Sequence, residues 1–425
     1  MKFDVLKKIL TDSRSVAQHK QCDVREYSFD DNSNYILYGI RRSGKSAIMC
    51  ERARILHDRG VAWEQIFYLD FTDECFKDFV AEELDMLLLA TQSMSPGKTY
   101  FFFDEISRIP GWENYILKFA KTGAMVYASG SDETIGTERI RELLGGDFKF
   151  QEIYTYGFKE YLLANNVPFD NTAMAQSKTQ RLVEDAFNEY KEMGGFPYSG
   201  TYLRRREYIE TIFQNDIMAD VLSSYNIRNP LGFRLILRKI AENVGKELPN
   251  QKLHGQVATA GVVLPREVFT DYISYAKNGF IVFALNNYYT EMTEKKPGIP
   301  KYYFTDIGLL NLMIMNNDES IVRNIVAILL KRKYGNDVKY YKSGQLNIDL
   351  DFFLPERRMA VIVSNQFQGN EYKHGLISFG EMVQRHPEIS NLYVITGDKK
   401  ETIDYQGIKI CMVPILDVLL QNITF

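Results

Sequence analysis

The chain has 425 residues, enough for roughly two to four domains with cores of their own, and its make-up of 45% hydrophobic and 25% charged residues is that of an ordinary folded protein. A net charge of −4 excludes a broadly basic, non-specific nucleic-acid binder and leaves only a local basic face for such a role. Cys22, Cys50, Cys75 and Cys411 are scattered, with no C-x-x-C and no His at ligand spacing, which argues against a zinc site or disulfide frame and for reduced core thiols in the cytoplasm. Met1-Lys2-Phe3-Asp4 does not open a signal-peptide run, and apolar stretches such as 84–90 are too short to cross a bilayer, so no membrane partner is expected.

Residues 1–30 are polar with a short amphipathic start, expected to be a lead-in helix. Tyr35-Ile36-Leu37-Tyr38 then reads as a buried strand. It runs into Gly39-Ile40-Arg41-Arg42-Ser43-Gly44-Lys45-Ser46, which is G-x-x-x-x-G-K-S, and a breaker-free helical stretch begins at Ala47. Strand, glycine loop and helix are the setting in which this pattern cradles a phosphate. The glycines let successive N–H groups turn toward an anion, and the helix adds its positive dipole end. Gly39, Arg41, Arg42, Ser43, Gly44, Lys45, Ser46 and Ala47 are therefore the candidate ATP-binding residues. Lys45 is expected to reach the β- and γ-phosphates, and Ser46 to ligate Mg²⁺.

Residues 65–71 read as a second strand ending in the acidic turn Thr72-Asp73-Glu74, which is expected to be solvated. Thr99-Tyr100-Phe101-Phe102-Phe103 is a continuous apolar run, the mark of a strand buried on both faces, and it ends in Asp104-Glu105. Asp104 is the candidate Mg²⁺ ligand and Glu105 the residue that polarises attacking water. A further strand over 124–128 runs into Ser129-Gly130-Ser131-Asp132. A polar side chain at this tip is placed to sense the γ-phosphate, with Ser131 the first choice and Ser129 the second.

These residues, with Ile109-Pro110-Gly111-Trp112-Glu113, Gly194-Gly195-Phe196-Pro197, Tyr302-Tyr303-Phe304-Thr305-Asp306-Ile307-Gly308-Leu309 and Leu350-Asp351-Phe352-Phe353, resemble prokaryotic AAA-type ATPases whose C-terminal half is a domain of unknown function with a winged helix and a restriction-endonuclease-like fold. The resemblance implies ATP binding, hydrolysis, and an interaction or DNA-related role. It also exposes a departure. Many members carry Gly-Arg before the segment that corresponds to Tyr156-Gly157-Phe158-Lys159-Glu160-Tyr161-Leu162, and here Asp147 stands in place of that arginine. An acid pointing inward there would repel ATP, and Arg139 and Arg141 are the basic residues available as substitutes.

The chain from 202 to 229 reads as helix, opening with Arg204-Arg205-Arg206, a run expected to be a solvated helix end. Helical stretches over 231–245, 251–259 and 265–278, then strands over 280–285 and 302–304 around Glu294-Lys295-Lys296-Pro297-Gly298, follow the winged-helix order. The third helix offers Arg266 against Glu267 and Asp271, too little positive charge for a DNA-reading helix, so protein contact or internal packing is the expected use. Strands over 338–341, 349–354, 359–363 and 392–396, with helices over 321–333 and 373–385, make a small α/β layer. Resemblance supplies the rest: in a nuclease of this fold an Asp on one strand and Glu-x-Lys on the next bind Mg²⁺. Asp351, with Asp349 beside it, fits the first, but Ile362 and Ser364 stand where Glu and Lys belong, and the helix that should add an acid has Arg323-Asn324.

The expected fold is thus α/β. It comprises a P-loop AAA-type parallel sheet with helices over 1–195, a winged-helix-like α domain over 196–310, and an inactive restriction-endonuclease-like α/β domain over 311–425. The expected function is Mg²⁺-dependent ATP binding with slow hydrolysis to ADP, coupled to movement of the C-terminal half toward a protein partner. A non-hydrolysing nucleotide-gated module is the alternative, and DNA processing stands third. No motif specifies an oligomeric state.

Overall fold

Phe101, Phe102 and Phe103 organise the first layer. Successive strand side chains point to opposite faces. Phe101 and Phe103 accordingly meet Phe119 edge-on, with ring centroids 4.7 and 5.3 Å away, while Phe102 stacks on Tyr127 at 4.8 Å on the other side. All three are fully buried, each contributing about 1.5–3 kcal/mol. Such a strand belongs inside a parallel sheet covered by helices on both faces.

The computed structural model describes residues 3–23, 25–95, 97–131, 133–197, 205–296, 298–314, 318–365 and 367–420, and places it there. Strands β1 (Asn34–Tyr38), β2 (Ile66–Asp70), β3 (Tyr100–Asp104), β4 (Met125–Gly130) and β5 (Phe148–Glu152) form one sheet in the order β2-β3-β4-β1-β5. Every pair is parallel. The helix Lys45–Asp58 covers one face through Ile48, Met49, Ala53 and Leu56, and helices Glu83–Met94 and Trp112–Lys121 cover the other through Leu84, Leu87 and Ile116. The expected lead-in is two helices, Phe3–Asp12 and Arg14–His19, and the first sends Leu6 and Leu10 into the core. With all strands aligned, their carboxyl ends share one edge, where ligands of open α/β sheets bind.

The chain divides into two compact units, Met1–Thr155 with Asn278–Phe280, and Tyr156–Lys277 with Ile281–Phe425. In the second, the three expected helices are Pro230–Glu242, Asn250–Thr259 and Arg266–Asn278, followed by the antiparallel pair β6 (Val282–Leu285) and β7 (Lys301–Phe304). A helix, Tyr288–Glu294, fills part of the connection, where the sequence showed only a turn; Asn287 caps it by accepting from Tyr289 N. Helix is also found at Arg205–Thr211, Ile212–Met218 (π-helical) and Ala219–Ser224. Tyr202 and Arg204 lie outside the described residues, as do Asp132 and Pro297.

The remaining layer is a six-stranded mixed sheet in the order β12-β13-β11-β10-β9-β8, comprising β8 (Lys339–Ser343), β9 (Ile348–Leu354), β10 (Met359–Val363), β11 (Asn391–Thr396), β12 (Glu401–Tyr405) and β13 (Ile408–Pro414). The last two strands were not expected. The alternation of Ile408, Ile410 and Met412 marks β13, whereas β12 is a polar, largely exposed edge.

Two motifs that carried the resemblance turn out to be one structural clamp. Asp306 accepts from Gly308 N through Oδ1 at 2.7 Å and from Gly195 N through Oδ2 at 2.8 Å. Gly194 holds φ +73°, and a Cβ there would lie 2.1 Å from Asp306 Oδ1. Among the described residues no helix is long and apolar enough to cross a membrane.

Candidate functional site

The loop between β1 and the helix Lys45–Asp58 shows why two glycines are required. Gly39 sits at φ +138°, and a Cβ on it would lie 2.3 Å from Ile153 O; Gly44 caps the helix at φ +98°. Arg42, at φ +64°, is a non-glycine residue held in the left-handed region. Gly39→Ala is expected to cost at least about 1–3 kcal/mol through the forced backbone angle alone and to weaken ATP binding at least tenfold, as read by a urea midpoint and a nucleotide titration.

Lys45 is buried and donates to Gly39 O at 2.9 Å and Ile40 O at 3.0 Å. Ser46 and Ala47 are half-buried in the first helical turn, where orphan N–H groups and the dipole favour an anion. Ser43 does not present its side chain outward. It is fully buried, its Oγ has no hydrogen-bond partner among the described residues, and its carbonyl accepts from Arg25 Nη1 at 2.8 Å. Arg25 also donates to Tyr154 O at 2.6 Å, tying the loop to the segment after β5.

β4 lies between β1 and β3, which brings the expected sensor turn beside both motifs. Gly130 is in register with Tyr38, the residue before Gly39, and Ala128 with Phe103. Asp104 is fully buried; Ser129 Oγ donates to its Oδ1 at 2.5 Å and Tyr68 OH to its Oδ2 at 2.6 Å. Ser129 Oγ in turn accepts from Glu105 N at 3.0 Å. Glu105 adopts φ +53°, a left-handed angle that an acidic residue rarely takes, and its Oε1 accepts from Ser131 Oγ. The two serines therefore divide the labour. Ser131 holds the Glu105 side chain, while Ser129 holds Asp104 and the Glu105 backbone.

Burial pushes the Glu105 carboxyl above its ordinary value, with the Asp104 charge adding to the rise, while Lys45, the Ser131 hydrogen bond and Arg41 oppose it. Lys45 and Arg41 thus stand near enough to act on Glu105, whereas Arg42 is exposed. Burial, then the Asp104 charge, pushes the Tyr68 phenol well above its ordinary value, so it remains a proton donor.

Asp147 is not at this edge. It precedes β5 at the end where Phe148 pairs with Asn34, about 13 Å along the strands from the loop, and it is exposed, with its carbonyl accepting from Asn34 Nδ2. Its charge does not face the phosphate loop. Of the two arginines considered as substitutes, Arg139 is exposed and pairs with Glu113 at 2.6 Å. Arg141 donates to Tyr38 OH and Gly136 O, with its guanidinium over the rings of Tyr38 and Phe150. Both are committed to structural contacts.

In the second unit, the strand positions that would carry a metal in a nuclease are filled differently. Asp351 Oδ1 lies 3.0 Å from Arg323 Nε, and its Oδ2 accepts from Val363 N at 2.8 Å. Asp351, then Glu319, holds the Arg323 guanidinium above its ordinary value. The residue that replaced a helix acid thus supplies a built-in cation to the carboxylate. Ile362 is buried, Ser364 donates to Glu371 at 2.6 Å, and Asp349 is exposed, 3.5 Å from Lys342. Among the described residues no three His, Cys, Asp or Glu side chains gather as a metal site. On the third helix, Arg266, Glu267, Thr270, Asp271 and Lys277 are the exposed residues, two positive against two negative. The four cysteines are free; Cys50 is buried, but Cys75 is exposed, so the expectation of core thiols holds for only part of the set.

Sequence reasoning missed Tyr68 and Arg25. Tyr68 reads as one more apolar residue of a buried strand, and Arg25 lies in a polar segment without periodicity. Neither carries a motif.

Two family models match parts of the chain. Residues 31–162 match the model of an AAA domain, which takes in all five strands of the first sheet, and residues 184–320 match a domain of unknown function. An uncharacterized protein of Haemophilus influenzae is 25% identical over 91% of this chain and 94% of its own length. An uncharacterized protein of Methanocaldococcus jannaschii is 25% identical over 82% and 79%. Among solved structures, a Walker-type ATPase of Pyrococcus abyssi overlaps 73% of this chain and 95% of its own at 14% identity and a TM-score of 0.40. AMPPCP-bound DnaA from Aquifex aeolicus overlaps 64% and 86% at 14% identity and a TM-score of 0.26.

Proposed function

We propose that the first unit binds Mg·ATP and hydrolyses it slowly to ADP and phosphate, and that the nucleotide state moves the C-terminal half toward a protein partner. The observation that carries the nucleotide part is the meeting of Lys45, Asp104, Glu105 and Ser131 at the carboxyl ends of β1, β3 and β4, beside a loop that only glycine can close. Gly39, Gly44 and the N–H groups of the first helical turn would cradle the phosphates, and Lys45 would neutralise them. Ser46 and Asp104 would hold Mg²⁺, which when bound supplies charge neutralisation on the phosphate oxygens. Glu105 would orient and polarise water, with Ser131 fixing its carboxylate and sensing the γ-phosphate, and Arg41 would add positive potential.

The order of three helices and an antiparallel pair supports reading 196–310 as winged-helix-like, and the mixed sheet supports reading 311–425 as a restriction-endonuclease-like layer retained for docking. The Arg323–Asp351 pair favours docking over Mg²⁺-dependent DNA cleavage. The non-hydrolysing reading rested mainly on Asp147, which the fold places away from the phosphate loop. A titration of wild type and Lys45→Ala with ATP in Mg²⁺, alongside steady-state phosphate release, tests the proposal. Binding and release by wild type, both lost in Lys45→Ala, are expected; no binding by wild type would overturn it.

A further inference from the structure

The buried hydroxyl of Tyr68 has no packing reason to be there. The ring is 1% exposed and belongs to an apolar cluster with Met49, Cys50, Ile66, Phe102 and Tyr127, where phenylalanine would pack equally well without a polar atom to desolvate. The hydroxyl donates a hydrogen bond of 2.6 Å to Asp104 Oδ2. Ser129 supplies the matching donor at 2.5 Å to Oδ1. A carboxylate has about four lone-pair sites, two on each oxygen. Two neutral donors, one on each oxygen, therefore fix the plane of the buried Asp104 carboxylate, with acceptor capacity left on both oxygens. Short bonds of this charge-assisted kind are about twice as strong as neutral ones.

We propose that Tyr68 is a positioning residue for the divalent cation, acting through Asp104: it holds the carboxylate in the orientation that meets hydrated Mg²⁺ and sets how much Mg²⁺ the site needs. This rests on the reading of Asp104 as the Mg²⁺ residue of an ATP site. Outer partners of metal-binding carboxylates commonly change metal affinity by about 10- to 100-fold when removed. A residue that only supported the fold would lower stability or turnover without changing the metal requirement.

The test uses full-length protein, wild type and Tyr68→Phe, with circular dichroism to verify the fold. ATP binding is titrated against Mg²⁺ from micromolar to tens of millimolar, and again in EDTA; phosphate release is followed across the same Mg²⁺ series. The expected result is a roughly tenfold rise in the Mg²⁺ needed for half-maximal ATP binding. Binding in EDTA should be unchanged, and turnover at saturating Mg²⁺ should stay within about twofold of wild type. Ser129→Ala, which removes the other donor, is expected to raise the Mg²⁺ requirement in the same direction. An unchanged Mg²⁺ requirement in folded Tyr68→Phe overturns the assignment while leaving the nucleotide site intact. So does a fall in turnover that no concentration of Mg²⁺ restores. A wild type whose ATP binding ignores Mg²⁺ overturns both this inference and the reading of Asp104 beneath it.

Discussion

Glu105→Gln is expected to lower ATP turnover by about 10²- to 10⁴-fold, the usual contribution of a positioned general base, while leaving ATP binding within about threefold of wild type. The substitution keeps the size of the side chain and an oxygen that can accept from Ser131, so the turn at φ +53° and the Ser129 contact to the backbone have no cause to move. What is lost is the carboxylate charge, which Lys45 and Arg41 stabilise across the site. The same environment sets the pH dependence. Burial raises the folded-state value of Glu105, and the carboxylate is the working form, so turnover should fall as pH drops through a value raised above that of an ordinary glutamate. A steady-state pH profile of wild type shows this as an acidic limb. Single-turnover phosphate release with Glu105→Gln measures the loss directly. Turnover within threefold of wild type in this variant would remove Glu105 from the chemistry.

The parts of the site that could be read in the sequence are those in which one residue type meets one physical demand. A glycine at 39 is forced by a carbonyl 2.3 Å from where a Cβ would sit, and Phe101, Phe102 and Phe103 are all apolar because both faces of β3 are covered. Asp104 and Glu105 follow because the strand ends at the ligand edge. The parts that could not be read depend on strand order. Nothing local to 129–131 says that β4 lies between β1 and β3, yet that placement gives Ser129 two partners and Ser131 one. The concern over Asp147 arose from the same cause, since a residue's place along the chain does not fix which end of the sheet it occupies. In the second unit, Arg323 read as an acid missing from a metal site. Only the folded contact shows it ion-paired with Asp351, the carboxylate that such a site would have used. Gly194-Gly195 and Asp306-Ile307-Gly308 were legible as motifs but not as halves of a single contact, because 111 residues separate the bonded groups.

Arg332→Met is expected to destabilise the second unit by about 3–5 kcal/mol, the cost of leaving a buried carboxylate without its charge partner. The side chain of Glu160 is 0% exposed and that of Arg332 16%, with Arg332 Nη2 2.7 Å from Glu160 Oε2. The same oxygen accepts from Gly157 N at 2.9 Å, so it fixes the start of the helix Phe158–Ala164 as well. A Cβ on Gly157 would come within 2.9 Å of Arg332 Nη1. Methionine matches much of the length of arginine and leaves little void, so the loss isolates the charge rather than a cavity. Calorimetry is the suitable measurement, because Trp63 and Trp112 both lie in the first unit and tryptophan fluorescence therefore follows that unit alone. At about 2–4 °C per kcal/mol for units of this size, the calorimetric transition of the second unit should fall by roughly 6–20 °C. Glu160→Met alone leaves a largely buried guanidinium and should be similarly harmful, whereas the double replacement removes both charges and should recover a large part of the loss. Equal, additive losses in the two single variants and the double would mean that the pair contributes through packing and not through its charges.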